Sequence, residues 1–349
     1  MHEIIDMKTH DNSVNNAVSL SYLLIETEAF QFQQNAQARL FSNGVQTCVV
    51  LITLQARNSN GEVVAIPNDL NVNAVPYTSA TGNWVSTMTP APNGILAFPE
   101  HIIPRAEAAH STPLSGANPE NLQTFRRYIS YTGIPDGTTI QFAAQVKLGN
   151  TTYISNQRDV PYGGEGLNGR FNSSFILRSV QPPHYATYNG GLIISGPVEV
   201  FSGQIGGYTT KVRNSYASLR YPGTSTAINI HSGSTSAADS SLHDNKATAF
   251  GDAGSTVAKK NIPTTNRLGQ ALNQALSTIR DPRAGSIAVA VGMFSQFNEL
   301  FPARQTSHYG GATDVYGNPI RLAVTLTSIQ PNRDPWNYQL SIEWAGNQS

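Results

Sequence analysis

Two Asn-Gly pairs, each following an apolar run rich in β-branched residues, dominate the stretch from Gln37 to Val64, QARLFSNGVQTCVVLITLQARNSNGEVV. Asn and Gly tolerate the positive φ angles that tight turns need. Arg39 to Ser42, the turn at Asn43-Gly44, Thr47 to Arg57 and the turn at Asn60-Gly61 therefore read as strand, hairpin, strand, hairpin. Within the second run Thr47, Val49, Leu51, Thr53 and Gln55 alternate with Cys48, Val50, Ile52, Leu54 and Ala56. Both sets are apolar in the middle, so this strand is expected to be covered on both faces, as inside a sandwich.

An apolar strand, an Asn-Gly turn, a Thr/Val-rich strand and then Asn58-Ser59-Asn60-Gly61-Glu62-Val63-Val64 resembles the opening strands of the immunoglobulin-like repeats of bacterial invasin-type surface proteins and phage structural proteins. The resemblance implies an architecture and carries no functional residues. Downstream, Asn71 to Ser86 predicts two more short strands, with Pro76 at an edge or strand end. Pro99 to Leu122 reads as a long excursion. Tyr128 to Ser155 is expected to form a closing hairpin around Asp136-Gly137, with Ile140, Phe142, Ala144 and Val146 on one face and a further turn at Gly149-Asn150. About seven strands over about 120 residues is the size of an Ig-like sandwich.

The expectation for the whole chain is an all-β, two-domain β-sandwich protein. Residues 1–20 form a polar N-terminal arm, 21–157 the Ig-like sandwich, 158–172 a Gly-rich linker, and 173–349 a second β-rich domain with one amphipathic helix near 266–280. The second half is expected to restart with a strand at Ser174 to Val180 and to continue through Gly191 to Phe201, Tyr208 to Val212 and Leu219 to His231. Ser232 to Gly254 holds almost no large apolar residue and reads as a mobile surface loop. In the helix, Leu268, Leu272, Leu276 and Ile279 make a narrow stripe suited to the outside of a sheet, and Asp281-Pro282 ends it. Ser286 to Phe294 reads as a buried strand; Arg321 to Ile329 and Tyr338 to Trp344 close the chain.

At 349 residues the chain has room for two cores. Charged residues are 13% of it, and the formal net charge is zero at a pI near 7.1. Neither sign dominates, so there is no electrostatic case for nucleic acid or an anionic membrane surface. Arg outnumbers Lys 16 to 6, and Arg suits planar, partly desolvated contacts. The single cysteine, Cys48, excludes an intramolecular disulfide framework; inside a strand pattern it reads as a buried, inert thiol. The first residues, MHEIIDMKTHDNS, do not resemble a secretory signal, and Val18 to Ile25 is too short to span a bilayer. The expected origin is therefore cytoplasmic synthesis, followed by incorporation into a particle or release to the exterior.

No motif with chemistry stands out. Gly164 to Gly169 satisfies G-x-G-x-x-G, but a dinucleotide site needs a strand before it and a helix N-terminus after it, and here a proline-containing stretch precedes and a strand follows. The eight histidines (His2, His10, His101, His110, His184, His231, His243 and His308) show no metal-ligand spacing, and His243-Asp244 falls in the Ser/Asp-rich stretch. Trp84, Trp336 and Trp344, with Tyr185, Tyr188, Tyr208, Tyr216 and Tyr221, fit either core positions or a sugar- or protein-binding face. No catalytic, cofactor-binding or metal-binding residue is assigned.

The first functional expectation is a non-catalytic structural subunit that self-assembles into a phage-like or other multimeric particle, its partners being further copies and other structural proteins. The alternative is a host-directed binding protein or toxin that engages a receptor, glycan or membrane, with Ser232 to Lys260 as a segment that rearranges. A carbohydrate-active enzyme comes third.

Overall fold

The computed structural model describes residues 16–30, 33–34, 37–67, 70–76, 83–100, 112–113, 122–156, 171, 173–232, 242–243, 246–251, 258–259, 270–271, 274–276, 283–295, 305–328, 334 and 336–345. The chain divides into two compact units. One comprises Met1–Asn93 with Ala97–Gln181, and the other comprises Gly94–Leu96 with Pro182–Ser349.

The first unit contains β1 (Ser19–Thr27), β2 (Gln33–Gln34), β3 (Gln37–Phe41), β4 (Cys48–Arg57), β5 (Val63–Val64), β6 (Asn71–Pro76), β7 (Asn83–Thr87), β8 (Thr112–Pro113), β9 (Gln123–Thr132), β10 (Thr139–Leu148), β11 (Thr151–Ile154) and β12 (Phe175–Val180). One sheet runs β1-β4-β9-β7 with β5 beside β4; the other runs β11-β10-β12-β3 with β6 on β10. Their inner faces share one core. Leu23, Ile25, Val50, Ile52, Leu54, Ile129 and Tyr131 from the first sheet meet Leu40, Val72, Ile140, Phe142, Val146, Phe175 and Leu177 from the second. Each such aliphatic or aromatic side chain contributes about 1.5–3 kcal/mol when fully buried. Phe142 stacks on Phe175 at 5.4 Å, and Trp84 meets it edge-on at 5.6 Å. The strand expected to be covered on both faces, β4, is so in part: on its second face Thr53 and Gln55 are buried, while Val49 and Leu51 are half-buried.

Two of the four turn signals behave as expected. At Asn60-Gly61 the chain reverses with Gly61 at φ 82°, and β5 pairs back onto β4 through Ala56–Val64 and Arg57–Val63. At Gly149-Asn150, β10 and β11 form a hairpin that pairs Leu148 with Thr151. The other two do not make hairpins. Asn43-Gly44 sends the chain from β3 in one sheet to β4 in the other, and Asp136-Gly137 sends it from β9 back to β10. A positive φ reverses the backbone, but it does not decide whether the flanking strands share a ladder. Here β3 is claimed by β12, in a parallel register that runs from Gln37–Ile176 to Phe41–Val180. The crossing at Asn43 is a side-chain turn in its own right: Asn43 Oδ1 accepts the N–H groups of Val45 and Gln46, and Gln46 Oε1 accepts that of Phe41.

β12, expected to restart the second half, thus completes the first unit. Ser155 and Ser173 make the join. The Ser155 hydroxyl accepts the Ala144 N–H and donates to the Ser173 carbonyl, both at 2.8 Å, while Ser173 Oγ accepts the Ile25 N–H from the opposite sheet. Of the expected Gly-rich linker, 158–172, Phe171 alone is described, and it is buried edge-on against Tyr153. Of the expected arm, residues 1–15 lie outside the described residues, and β1 already begins at Ser19. The free edge of β3 is capped by Glu100. Its Oε1 accepts the Arg39 N–H at 3.0 Å and its Oε2 accepts Arg39 Nε at 2.8 Å, while Phe98 packs over the Arg39 guanidinium and the Phe41 ring.

The second unit contains β13 (Leu192–Ile205), β14 (Tyr208–Arg220), β15 (Ala227–Ile228), β16 (Ile230–Ser232), β17 (Leu242–His243), β18 (Lys246–Gly251), β19 (Ala258–Lys259), β20 (Ser286–Phe294), β21 (Gln305–Asp314), β22 (Pro319–Ser328) and β23 (Tyr338–Trp344). A seven-stranded sheet runs β13-β14-β20-β18-β17, with β15 on β14 and β19 on β18; a four-stranded sheet runs β16-β21-β22-β23. Every residue of β20 is buried. On one face Val291 and Met293 pack with Leu326 of the four-stranded sheet and with Trp336, Tyr338 and Leu340. On the other, Ala290 and Phe294 pack with Ala271, Ala275 and Leu276. Of the helix expected over 266–280, Gln270, Ala271, Gln274 and Ala275 are helical and Leu276 is a buried turn residue, with Ala271, Ala275 and Leu276 packed on the sheet; Leu268, Leu272 and Ile279 of the expected stripe lie outside the described residues.

The expected loop at Ser232 to Gly254 is corrected in part. β18 lies within it and pairs with β20 over Lys246–Met293 to Gly251–Ala288. KATAFG has too little apolar content to read as a strand alone; its partner's backbone supplies the ladder. β21 was likewise not foreseen from the sequence. The exposed edge strand, β13, is guarded by Pro197, which offers no N–H, and by register shifts between Ser195 and Val198 and between Glu199 and Phe201.

Candidate functional site

The second unit carries an aromatic ridge on the loop that leads into β13. In the loop His184-Tyr185-Ala186-Thr187-Tyr188-Asn189-Gly190-Gly191, the Asn189 side chain takes over the work of a ladder. Its Oδ1 accepts the N–H groups of Ala186 and Gly191, and its Nδ2 donates to the His184 carbonyl at 2.8 Å. Gly190, at φ 71°, completes the reversal. The fold thus points two tyrosines three residues apart in opposite directions: Tyr185 is 0% exposed and Tyr188 is 82% exposed.

Tyr185 anchors the loop. Its hydroxyl donates to Asp314 Oδ2 at 2.5 Å, and the same oxygen accepts Asn318 Nδ2 at 3.0 Å. Asp314 Oδ1 accepts the backbone N–H groups of Tyr316 and Asn318, so the β21–β22 turn wraps its own carboxylate. Asp314 is 0% exposed. Burial raises its pKa above the usual carboxylate range, against the four donors that lower it. The Tyr185 hydroxyl is held far above its ordinary value, first by burial and then by the Asp314 charge. Both groups are sealed from solvent, so their role is to fix the loop.

Above this anchor three rings line up, His184 and Tyr188 exposed and Trp344 half-buried with its indole N–H covered. Trp344, at the end of β23, meets Tyr185 at 5.6 Å and His184 at 5.4 Å, edge to face in both cases. His184 in turn lies 6.0 Å from Tyr188, whose hydroxyl is 3.2 Å from His184 Nδ1. The result is a ridge of an imidazole and a phenol, backed by an indole and held on a hydrogen-bonded base. Rings with polar tips that are rigid before contact lose little entropy on binding.

The remaining residues singled out from the sequence are dispersed. Trp84 belongs to the first core and Trp336 packs against the second. Tyr216 is buried under the Arg283 guanidinium, and Tyr208 leans on Phe294. Cys48 is buried, its thiol pushed up to about 12 by desolvation and by Glu100. Gly164 to Gly169, His2, His10, His101, His110 and Asp244 lie outside the described residues. Among the described residues no group of three or more His, Cys, Asp or Glu is placed to hold a metal ion, and no helix is long and apolar enough to cross a membrane. His184, Asn189, Asp314 and Asn318 were not marked as a group by sequence. The available signals were the turn pairs Asn189-Gly190 and Gly317-Asn318, which say nothing of which ring ends up outside.

The sequence matches no protein-family model and no curated protein. Similar solved structures include the C-terminal domain of the Streptococcus pyogenes antigen I/II-family protein AspA, at 8% identity over 87% of this chain and 98% of that one, with a TM-score of 0.27. The C-terminal domain of the Streptococcus agalactiae AgI/II polypeptide BspA overlaps at 8% identity over 86% of this chain and 97% of that one, with a TM-score of 0.24. The collagen adhesin of S. aureus overlaps at 8% identity over 95% of this chain and 96% of that one, with a TM-score of 0.15. At these TM-scores neither a family nor a role is transferred from them.

Proposed function

We propose that the chain is a non-catalytic binding protein that presents the His184–Tyr188–Trp344 ridge to a partner protein on another surface. The observation that carries this reading is the exposure of Tyr188, 82%, on a loop locked from below by Tyr185, Asp314 and Asn189. A solvent-facing tyrosine on a loop whose backbone is fixed from below is suited to anchor an interface, tyrosine being among the residue types that dominate binding energy at protein contacts. The low charge of the chain, 13%, suits such an interface, whose centre is depleted in ions.

The test compares wild-type and Tyr188→Ala protein for attachment to a panel of intact cells, with and without protease or glycosidase treatment. Attachment that is lost with Tyr188→Ala and on protease treatment supports the reading. Equal attachment by the variant refutes it, and loss with glycosidase alone redirects it to a sugar ligand. Self-assembly into a particle is a second reading that rests on composition and on the resemblance; no described feature is specific to it. Light scattering of the purified protein separates the two, since particle subunits gather into large symmetric assemblies.

A further inference from the structure

The last strand of the four-stranded sheet, β23, is an edge that nothing among the described residues guards. It pairs with β22 alone, from Leu322–Trp344 to Ser328–Tyr338, without a register shift. The phase of that ladder is fixed at its end, where the Ala345 N–H donates to the Arg321 carbonyl at 2.9 Å. Hydrogen-bonded and non-bonded pairs alternate along an antiparallel ladder, so Ala345, Glu343, Ser341 and Gln339 turn their backbone groups toward β22. The N–H and C=O groups of Tyr338, Leu340, Ile342 and Trp344 therefore point to the open side.

Other edges of the molecule are defended. β13 carries Pro197 and two register shifts, β3 is capped by Glu100, and the Ile25 N–H of β1 is taken by Ser173 Oγ. YQLSIEW has no proline, glycine or lysine, and its one charge, Glu343, stands exposed on the face opposite Ile342. Tyr338 and Leu340 stay half-buried although they pack with Val291, Met293 and Leu326. A straight, unguarded edge of this kind is a template for strand addition.

The residues of the edge indicate which strand fits it. All four open residues are bonded at once only when the incoming strand sets its own open residues opposite them. YQLSIEW does this against itself, antiparallel about Ser341. Tyr338 then faces Trp344, Leu340 faces Ile342, and Gln339 faces Glu343 on the outer side. Apolar side chains meet apolar ones, an amide meets a carboxylate, and no like charges oppose each other. A register centred on Glu343 instead would set two carboxylates against one another.

We propose that two copies of the chain pair through β23, antiparallel about Ser341, to form one continuous sheet. The inference does not rest on the ridge. Tyr188 takes no part in the pairing, so Tyr188→Ala should dimerise like the wild type and the two readings fail separately.

The test follows full-length protein by sedimentation velocity from micromolar to millimolar concentration, where a reversible dimer should appear. Oxidative cross-linking then reads the register. The two Ser341 residues would occupy a non-hydrogen-bonded pair, with Cα atoms about 4.5 Å apart, within the roughly 4.4–6.8 Å that a disulfide spans. The single native thiol, Cys48, is buried. Ser341→Cys should give a disulfide-linked dimer; Gln339→Cys alone should not, but it should link when mixed with Glu343→Cys. Leu340→Pro removes an N–H that β22 does not use and should weaken the dimer about thirtyfold, because two hydrogen bonds are lost. Ser341→Lys sets two cations opposite each other and should weaken it about fivefold; it keeps the test decisive if Leu340→Pro does not fold. A wild type that stays monomeric throughout overturns the inference, even where β23 takes up a synthetic strand of another sequence. A dimer that Ser341→Cys fails to link, or that Ser341→Lys leaves unchanged, overturns it too.

Discussion

Tyr185→Phe removes one oxygen and leaves the ring that supports Trp344 in place, so it isolates the hydrogen bond to Asp314. The bond lost is a 2.5 Å contact to a carboxylate sealed from solvent, which no water reaches as a substitute. A hydrogen bond to a charged group is worth about 1.5–3 kcal/mol, so a loss of about 2 kcal/mol is expected at pH values above the folded pKa of Asp314, where its carboxylate is ionised. For a unit of this size that corresponds to a fall of about 4–8 °C in Tm. The deficit also depends on pH. Burial raises the folded pKa of Asp314 above its unfolded value, so the folded state holds the extra proton. The Asp314 contribution to stability is therefore greatest in acid and declines as pH rises through the window between the two values. The Tyr185 hydroxyl favours the ionised form, so its removal widens that window upward. The variant should lose most above the folded pKa and approach the wild type below it. Calorimetry of the second unit's transition at several pH values from acid to neutral measures this directly. A deficit below about 0.5 kcal/mol at every pH, or one that stays constant with pH, would refute the coupling of Tyr185 to the buried Asp314 carboxyl.

Gly44→Ala should destabilise the first unit by about 2–4 kcal/mol, because φ is 73° and the new Cβ would stand 2.4 Å from Thr132 Oγ1. Gly61→Ala, at φ 82° with nothing near, should lose only about 1 kcal/mol. Denaturant midpoints compare the two, and Thr132→Ala should recover part of the Gly44→Ala loss alone. Ser155→Ala should cost about 2–3 kcal/mol through the Ala144 N–H and Ser173 C=O it leaves unpaired, read by the same midpoints. Pro197→Val returns an N–H to the edge of β13 and should raise the self-association seen by light scattering; an unchanged monodisperse profile counts against the edge-guarding role.

The strands that could be read from sequence are those whose own side chains state the period. The two apolar sets of β4, the row Ile140, Phe142, Ala144 and Val146 in β10, and the unbroken apolar run of β20 each mark a strand without help from a partner. β18 could not be read, because Lys246 to Gly251 owes its ladder to β20. Turn chemistry was legible as reversal but not as pairing: Asn43-Gly44 and Asn60-Gly61 carry the same residues, yet one crosses between sheets and the other closes a hairpin. That choice is made by β12, which lies far along the chain. The ridge was half legible. Tyr185, Tyr188 and Trp344 stood out as aromatics, but which of them faces water depends on Asp314 and Asn189 holding the loop in one orientation.

The seam between β3 and β12 bears on how the molecule is made. Gln37 to Phe41 wait for Ile176 to Val180, and the Ile25 amide waits for a hydroxyl 148 residues downstream. Contacts of such long sequence separation form late, since the loop between must close before they repay its entropy. During synthesis the ribosome therefore extrudes nearly all of the first unit while one margin of its second sheet still lacks a neighbour. A nascent chain halted before Phe175 should draw chaperones that the finished protein no longer needs.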